Sequence, residues 1–95
     1  MSESIEQIKD KITPVLKEAD VVRSSLFGSV VRGEATKTSD VDILVELPRG
    51  KTLFDLVGLE LDLKKVLGRE VDVVTYRSIY PPLEKIILKE QVPIF

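Results

Sequence analysis

Two aspartates sit one residue apart inside an otherwise apolar strand, Ser39-Asp40-Val41-Asp42-Ile43-Leu44-Val45, and this stretch constrains the chain more than any other. Successive side chains of a strand point to opposite faces, so Asp40 and Asp42 share one face while Val41, Ile43 and Val45 share the other. One face must therefore be covered by apolar elements, while the other carries paired negative charge. Upstream, Leu26-Phe27-Gly28-Ser29-Val30-Val31-Arg32-Gly33 takes a strand-forming run into a Gly-Ser turn. A phosphate-sized gap beside a carboxylate pair points to a site for a metal–nucleotide complex.

The remaining elements follow from periodicity and caps. From Ser4 to about Ala19, Ile5, Ile8, Ile12, Val15 and Leu16 recur at helical spacing, with Ser4 and Gln7 as a capping box. Pro14 predicts a kink or break in that helix, because it removes an interior hydrogen bond. Val21 to Phe27 reads as a strand, and Ser29 to about Arg32 as a short helix whose first amides face a phosphate. Gly33 to Thr38 is a polar link, and Ser39 to Leu47 is the second strand. Thr52 caps a helix running to Leu67, with Leu56, Leu59, Leu63, Val66 and Leu67 as its buried stripe and Gly68 at its left-handed end. Glu70 to Thr75 forms a third strand, with Asp72 and Val74 on one face and Val71 and Val73 on the other. Leu83 to about Glu90 makes the last helix. Val92 to Phe95 is either a small edge strand or a docking patch. The order predicts an α/β (α+β) class: a small mixed β-sheet with helices packed on it, in one domain over 1–95.

Composition narrows the chemistry. Ninety-five residues with 43% hydrophobic and 32% charged content describe one folded domain. No histidine is present, which excludes Ser-His-Asp and Cys-His catalysis and histidine-ligated zinc. Catalysis must then rest on carboxylates, hydroxyls, Arg or Lys, and a hard metal. A net charge of −2 and a pI near 5.2 argue against a protein that lives on nucleic-acid phosphates. The absence of cysteine, of a signal-peptide pattern and of a membrane-length apolar run leads us to expect a cytoplasmic protein with no membrane partner.

Three carboxylates, Asp40, Asp42 and Asp72, can converge where neighbouring strands pair, and they repel unless cations neutralise them. Hard oxygen ligands suit magnesium. Gly28 lets a backbone approach a triphosphate closely, the Ser29 amide and hydroxyl can hold its oxygens, and Arg32 can add a forked contact. Each feature alone has a plainer meaning. An isolated Asp-x-Asp is more often a solvated strand face, Asp72 continues a polar alternation, Arg32 can pair with Glu34 or Glu46, and Ser39 can simply orient Asp40. Tyr76 and Tyr80 read as packing or surface residues. Gly28 and Gly33 have the glycine spacing of a Walker A loop, but Glu34-Ala35 follows where Lys and Ser/Thr are required.

Taken jointly, Gly28-Ser29, Arg32-Gly33 and Ser39-Asp40-x-Asp42 resemble the signature of the DNA polymerase beta-type nucleotidyltransferase superfamily, and the chain resembles its smallest branch, the minimal nucleotidyltransferase (MNT) domain. The resemblance implies a polymerase beta palm-like fold. It implies two magnesium ions on Asp40 and Asp42, with Asp72 as third carboxylate and activator of the acceptor hydroxyl. Gly28, Ser29, Arg32 and Ser39 would form the nucleotide-binding set. MNT domains are commonly antitoxins paired with HEPN-domain ribonuclease toxins, and some transfer AMP from ATP to a toxin tyrosine. The expected activity is therefore protein adenylylation, with ATP as substrate and a HEPN-type toxin as partner. Two alternatives remain open: neutralisation of the partner by occlusion alone, and transfer to RNA or a small molecule. The sequence also leaves open assembly into a homo-oligomer.

Overall fold

The computed structural model describes residues 4–33 and 40–95. Ser39, together with residues 34–38 of the polar link, lies outside the described residues. The elements are α1 (Ile5–Glu18), β1 (Arg23–Phe27), α2 (Ser29–Arg32), β2 (Val41–Glu46), α3 (Leu53–Leu67), β3 (Val71–Thr75), a 3-10 turn (Tyr76–Ser78), α4 (Pro81–Glu90) and β4 (Val92–Pro93). The strands form one mixed sheet in the order β3-β2-β1-β4. β2 and β3 are parallel, and α3 makes the crossover that a parallel pair requires. β1 runs antiparallel to both β2 and β4.

Alternation along the strands divides the sheet into two unlike faces. On one, Val41, Ile43, Val45, Leu26 and Val71 meet Ile8, Ile12 and Leu16 of α1 and Leu59, Leu63 and Leu67 of α3, all buried. The register leaves Asp42 and Glu46 of β2, Asp72 and Val74 of β3, and Arg23, Ser25 and Phe27 of β1 on the other. Leu44, on this second face, is nevertheless fully buried. The Ser24 hydroxyl, buried on the helical side, is satisfied by donating to the Leu44 carbonyl at 2.7 Å.

Local signals account for the element ends. The Ser4 hydroxyl accepts from the Gln7 amide at 3.1 Å and the Gln7 side chain accepts from the Ser4 amide at 2.9 Å, the reciprocal cap expected. At α3 the Asp55 carboxylate accepts from the Thr52 amide at 2.7 Å, which holds its carboxyl below the usual carboxylate range. Gly68 ends α3 in the left-handed region at φ 65°. Lys64, close to that end, reaches Glu70 at 3.0 Å and Glu60 at 3.8 Å. The bond to Glu70 is the main cause of its raised pKa.

Two expectations need correction, the break at Pro14 and the place of Val66, and one open alternative is decided. Pro14 does not break α1, which is continuous from Ile5 to Glu18. The neighbouring Thr13 hydroxyl donates to the Lys9 carbonyl at 2.6 Å, whereas the carbonyl that the proline deprives of a helical donor is that of Asp10. Val66 stands outside the α3 stripe, being 40% exposed: residues 59, 63 and 67 follow a spacing of four that turns position 66 outward. The C-terminal segment is an edge strand, because Ser25 and Leu26 pair with Pro93 and Val92, and Ile94 enters the core.

A proline that costs one hydrogen bond in an exposed helix interior is a removable burden. Pro14→Ala is expected to stabilise the fold by about 2 kcal/mol, allowing for the greater entropy of its unfolded chain. A melting midpoint that stays put or falls would show that α1 depends on the ring.

Candidate functional site

The site lies on the face opposite α1 and α3. Asp42 and Asp72 are direct partners in the parallel β2–β3 pair, so their side chains leave the sheet on the same side. Asp40 precedes β2 by one residue, at the position two before Asp42, and is exposed. Phe27 is the antiparallel partner of Asp42, which brings the following turn, at Gly28, directly beside that carboxylate.

Gly28 is there because nothing larger fits. Its backbone, at φ 78° and ψ −151°, occupies a region essentially restricted to glycine. A Cβ at this position would overlap Asp42 Oδ2 and stand 3.0 Å from Asp42 Cγ. Chain direction and carboxylate placement thus require the same residue. The Gly28 carbonyl starts α2 by accepting from the amides of Val31 (3.1 Å) and Arg32 (3.2 Å), and Gly33 closes it at φ 74°. Ser29 opens this single turn and is partly exposed.

The electrostatics reflect crowding of like charge. The carboxyl of Asp42 is pushed up to about 6, first by burial and then by the negative charges of Asp72 and Asp40. Arg32 opposes the shift and Glu90 adds to it. A cation is what such a group lacks, and Asp42, Asp72 and Asp40 supply the hard oxygen donors that suit a divalent ion. Among the described residues, however, no three acidic side chains are gathered tightly enough to grip an ion as they stand. Asp42 and Asp72 are brought together by the sheet, whereas Asp40 approaches from its end.

Two further residues belong to this neighbourhood. The Glu90 carboxylate, from the end of α4, accepts from the Gly28 amide at 3.3 Å and from Arg32 Nη1 at 3.0 Å. Arg32 therefore reaches Glu90, a partner beyond the two the sequence offered, of which Glu34 lies outside the described residues. Tyr76 is also more than a surface residue: its hydroxyl lies 2.9 Å from Ser25 Oγ and 3.4 Å from Gln91 Oε1, and Arg23 stacks 4.1 Å over its ring. Glu90 is 62 residues from Gly28, and Tyr76 is 51 from Ser25. No short motif announces contacts of that range. A separate open cleft of about 870 Å³ is lined by Arg23, Arg49, Lys51, Leu53, Tyr76 and Arg77 among others, and none of the three aspartates borders it.

Two outcomes follow from this geometry. Gly28→Ala is expected to destabilise the chain by about 2 kcal/mol or more, since it adds strain at positive φ to a clash with Asp42; denaturant titration measures it. Folding raises the proton affinity of Asp42, so between pH 3.8 and about 6 the folded chain holds a proton that the unfolded chain has released. The stability tied to this group is therefore present at low pH, is lost as pH rises through that window, and stays lost above it. In chelator at pH 8, Asp42→Asn should be more stable than the parent by about 1 kcal/mol, a figure discounted for a carboxylate only half removed from solvent. Melting curves should show that advantage disappearing towards pH 4.

Comparison with known proteins agrees with this architecture. The family model described as a nucleotidyltransferase domain matches residues 8–94. MJ0435 of Methanocaldococcus jannaschii, named provisionally as a protein adenylyltransferase, is 53% identical over 91 residues, spanning 96% of this chain and 98% of the relative. The protein adenylyltransferase MntA of Thermococcus cleftensis is 41% identical over 91 residues, covering 95% of this chain and 92% of its own length. A solved structure assigned provisionally as a minimal nucleotidyltransferase superposes with a TM-score of 0.82 at 38% identity, covering 96% of both chains. A chain from a toxin–antitoxin crystal structure with AMP-PNP matches with a TM-score of 0.80 at 25% identity, over 92% of this chain and 72% of the other. With its glycine turn set against paired strand carboxylates and a family match across nearly its whole length, the chain belongs to the nucleotidyltransferase domain family.

Proposed function

We propose that the chain is a magnesium-dependent protein adenylyltransferase that moves AMP from ATP to a hydroxyl, namely a tyrosine of a cognate HEPN-type toxin, and so serves as an antitoxin. The observation that carries this reading is the side-by-side placement of Asp42 and Asp72 against a turn that only glycine can make. The adenylyltransferase names of the relatives and the toxin–antitoxin complex with AMP-PNP support the nucleotide and the partner.

In this reading Gly28, Ser29 and Arg32 bind the triphosphate, with Ser39 next to Asp40. Asp40, Asp42 and Asp72 would hold the magnesium, which supplies charge stabilisation at the attacking and leaving oxygens. The acceptor oxygen attacks the α-phosphorus in line, the bond from that phosphorus to the bridging oxygen breaks, and pyrophosphate leaves. The hydroxyl proton passes to Asp72. In this reading the acceptor protein, docked on the open face, shields the reacting atoms from water.

Mass spectrometry of the toxin after incubation with this protein, ATP and magnesium tests the proposal directly. An adenylate adduct on a toxin tyrosine is expected, and its absence at high enzyme concentration rejects the transferase reading. The double variant Asp40→Asn with Asp42→Asn should lose more than about a hundredfold in transfer rate while retaining its far-ultraviolet circular dichroism. Neutralisation by occlusion is the second reading, favoured by the exposed apolar residues Leu53, Phe54 and Leu61 on α3. Full neutralisation of the toxin by the double variant would establish it.

A further inference from the structure

We infer that Glu90 is an internal occupant of the anion cradle made by Gly28 and Arg32, and that a nucleotide phosphate must displace it to bind. The inference rests on the proposed nucleotide reading and adds a competitor to it. One carboxylate oxygen of Glu90 accepts from a backbone amide at 3.3 Å and from a guanidinium at 3.0 Å, the donor pair that a phosphate oxygen would use.

The surroundings argue against a merely structural brace. α4 has no fully buried side chain, and Leu83 and Ile86 stand 47% and 58% exposed, so this helix is lightly anchored. An ion pair with side chains 45% and 21% exposed contributes little by itself to folding. Its position is also unfavourable to its neighbours, because the negative charge of Glu90 works against ionisation of Asp42. A triphosphate brings more acceptor oxygens and more charge to the same donors, and with its counter-ions it removes that conflict.

Displacement has a mechanical consequence. Gln91 follows Glu90, donates to the Leu88 carbonyl at 3.1 Å and accepts from the Tyr76 hydroxyl at 3.4 Å. Filling the cradle therefore loosens the end of α4 and its tie to Tyr76.

The test uses AMP-PNP with magnesium, titrated calorimetrically into the parent chain, Glu90→Gln and Glu90→Ala. Each variant is expected to bind about fivefold more tightly, the factor set by losing one partly exposed competing ion pair. In the parent, AMP-PNP should also speed hydrogen exchange over residues 81–91. Equal or weaker binding by the variants overturns the inference, since a brace or a metal ligand would give that result together with a lowered melting midpoint. Binding by the parent with no gain in the variants overturns this inference alone. No binding by parent or variants overturns the nucleotide reading with it.

Discussion

Mutual repulsion among carboxylates on one side of a thin sheet governs the design of this chain. Asp42 is half withdrawn from water beside Asp72, and its carboxyl is pushed up to about 6 as a result. Nothing in folding rewards that arrangement; the helical face of the sheet supplies the stability, through a core in which Ile8, Ile12, Leu16, Ile43 and Leu63 are fully buried. The two faces thus have separate tasks. One holds the strands in register, and that register in turn sets which charges stand together on the other. Shifting β2 by one residue against β3 would send Asp42 into the core and Ile43 to the charged side, so the hydrophobic pattern protects the site as firmly as the site's own contacts do.

Gly28 links those two tasks. Its backbone angles let the chain leave β1 and enter α2, and its missing side chain leaves room for the Asp42 carboxylate. The short helix that follows closes at Gly33 after one turn, so Arg32 returns to the same neighbourhood as Gly28. Small nucleotidyltransferase domains have little material with which to build a site, and here one turn of four residues orients both an amide and a guanidinium.

Much of this was legible in the residues. Strand alternation around Asp40 and Asp42, the Ser4–Gln7 cap, the left-handed Gly68 and the spacing of Leu59, Leu63 and Leu67 are local signals, and each acts within one turn or one pleat. The pairing of Asp42 with Asp72 was accessible by one further step, since both fall on the polar side of their strands. Glu90 and Tyr76 were not, because their partners lie far away in sequence and neither residue belongs to a periodic pattern. Pro14 misled for a different reason: helix packing through Ile12 and Leu16 on either side outweighs the lost hydrogen bond. The residues 34–39 that join α2 to β2 lie outside the described structure, and Ser39 with them.

The last strand carries a further implication. β4 is two residues long, and one of them is Pro93, which has no amide hydrogen to offer a neighbouring chain. The Ile94 amide donates to the Ser24 carbonyl at 2.8 Å and the Ser24 amide donates to the Phe95 carbonyl at 3.1 Å, so the outward hydrogen-bonding groups of β1 are occupied from within. An exposed β1 would offer any passing strand a template for edge-to-edge association. Residues 92–95 thus close the β1 side of the sheet, and without them that side would stand open to strand pairing while β3 bounds the other.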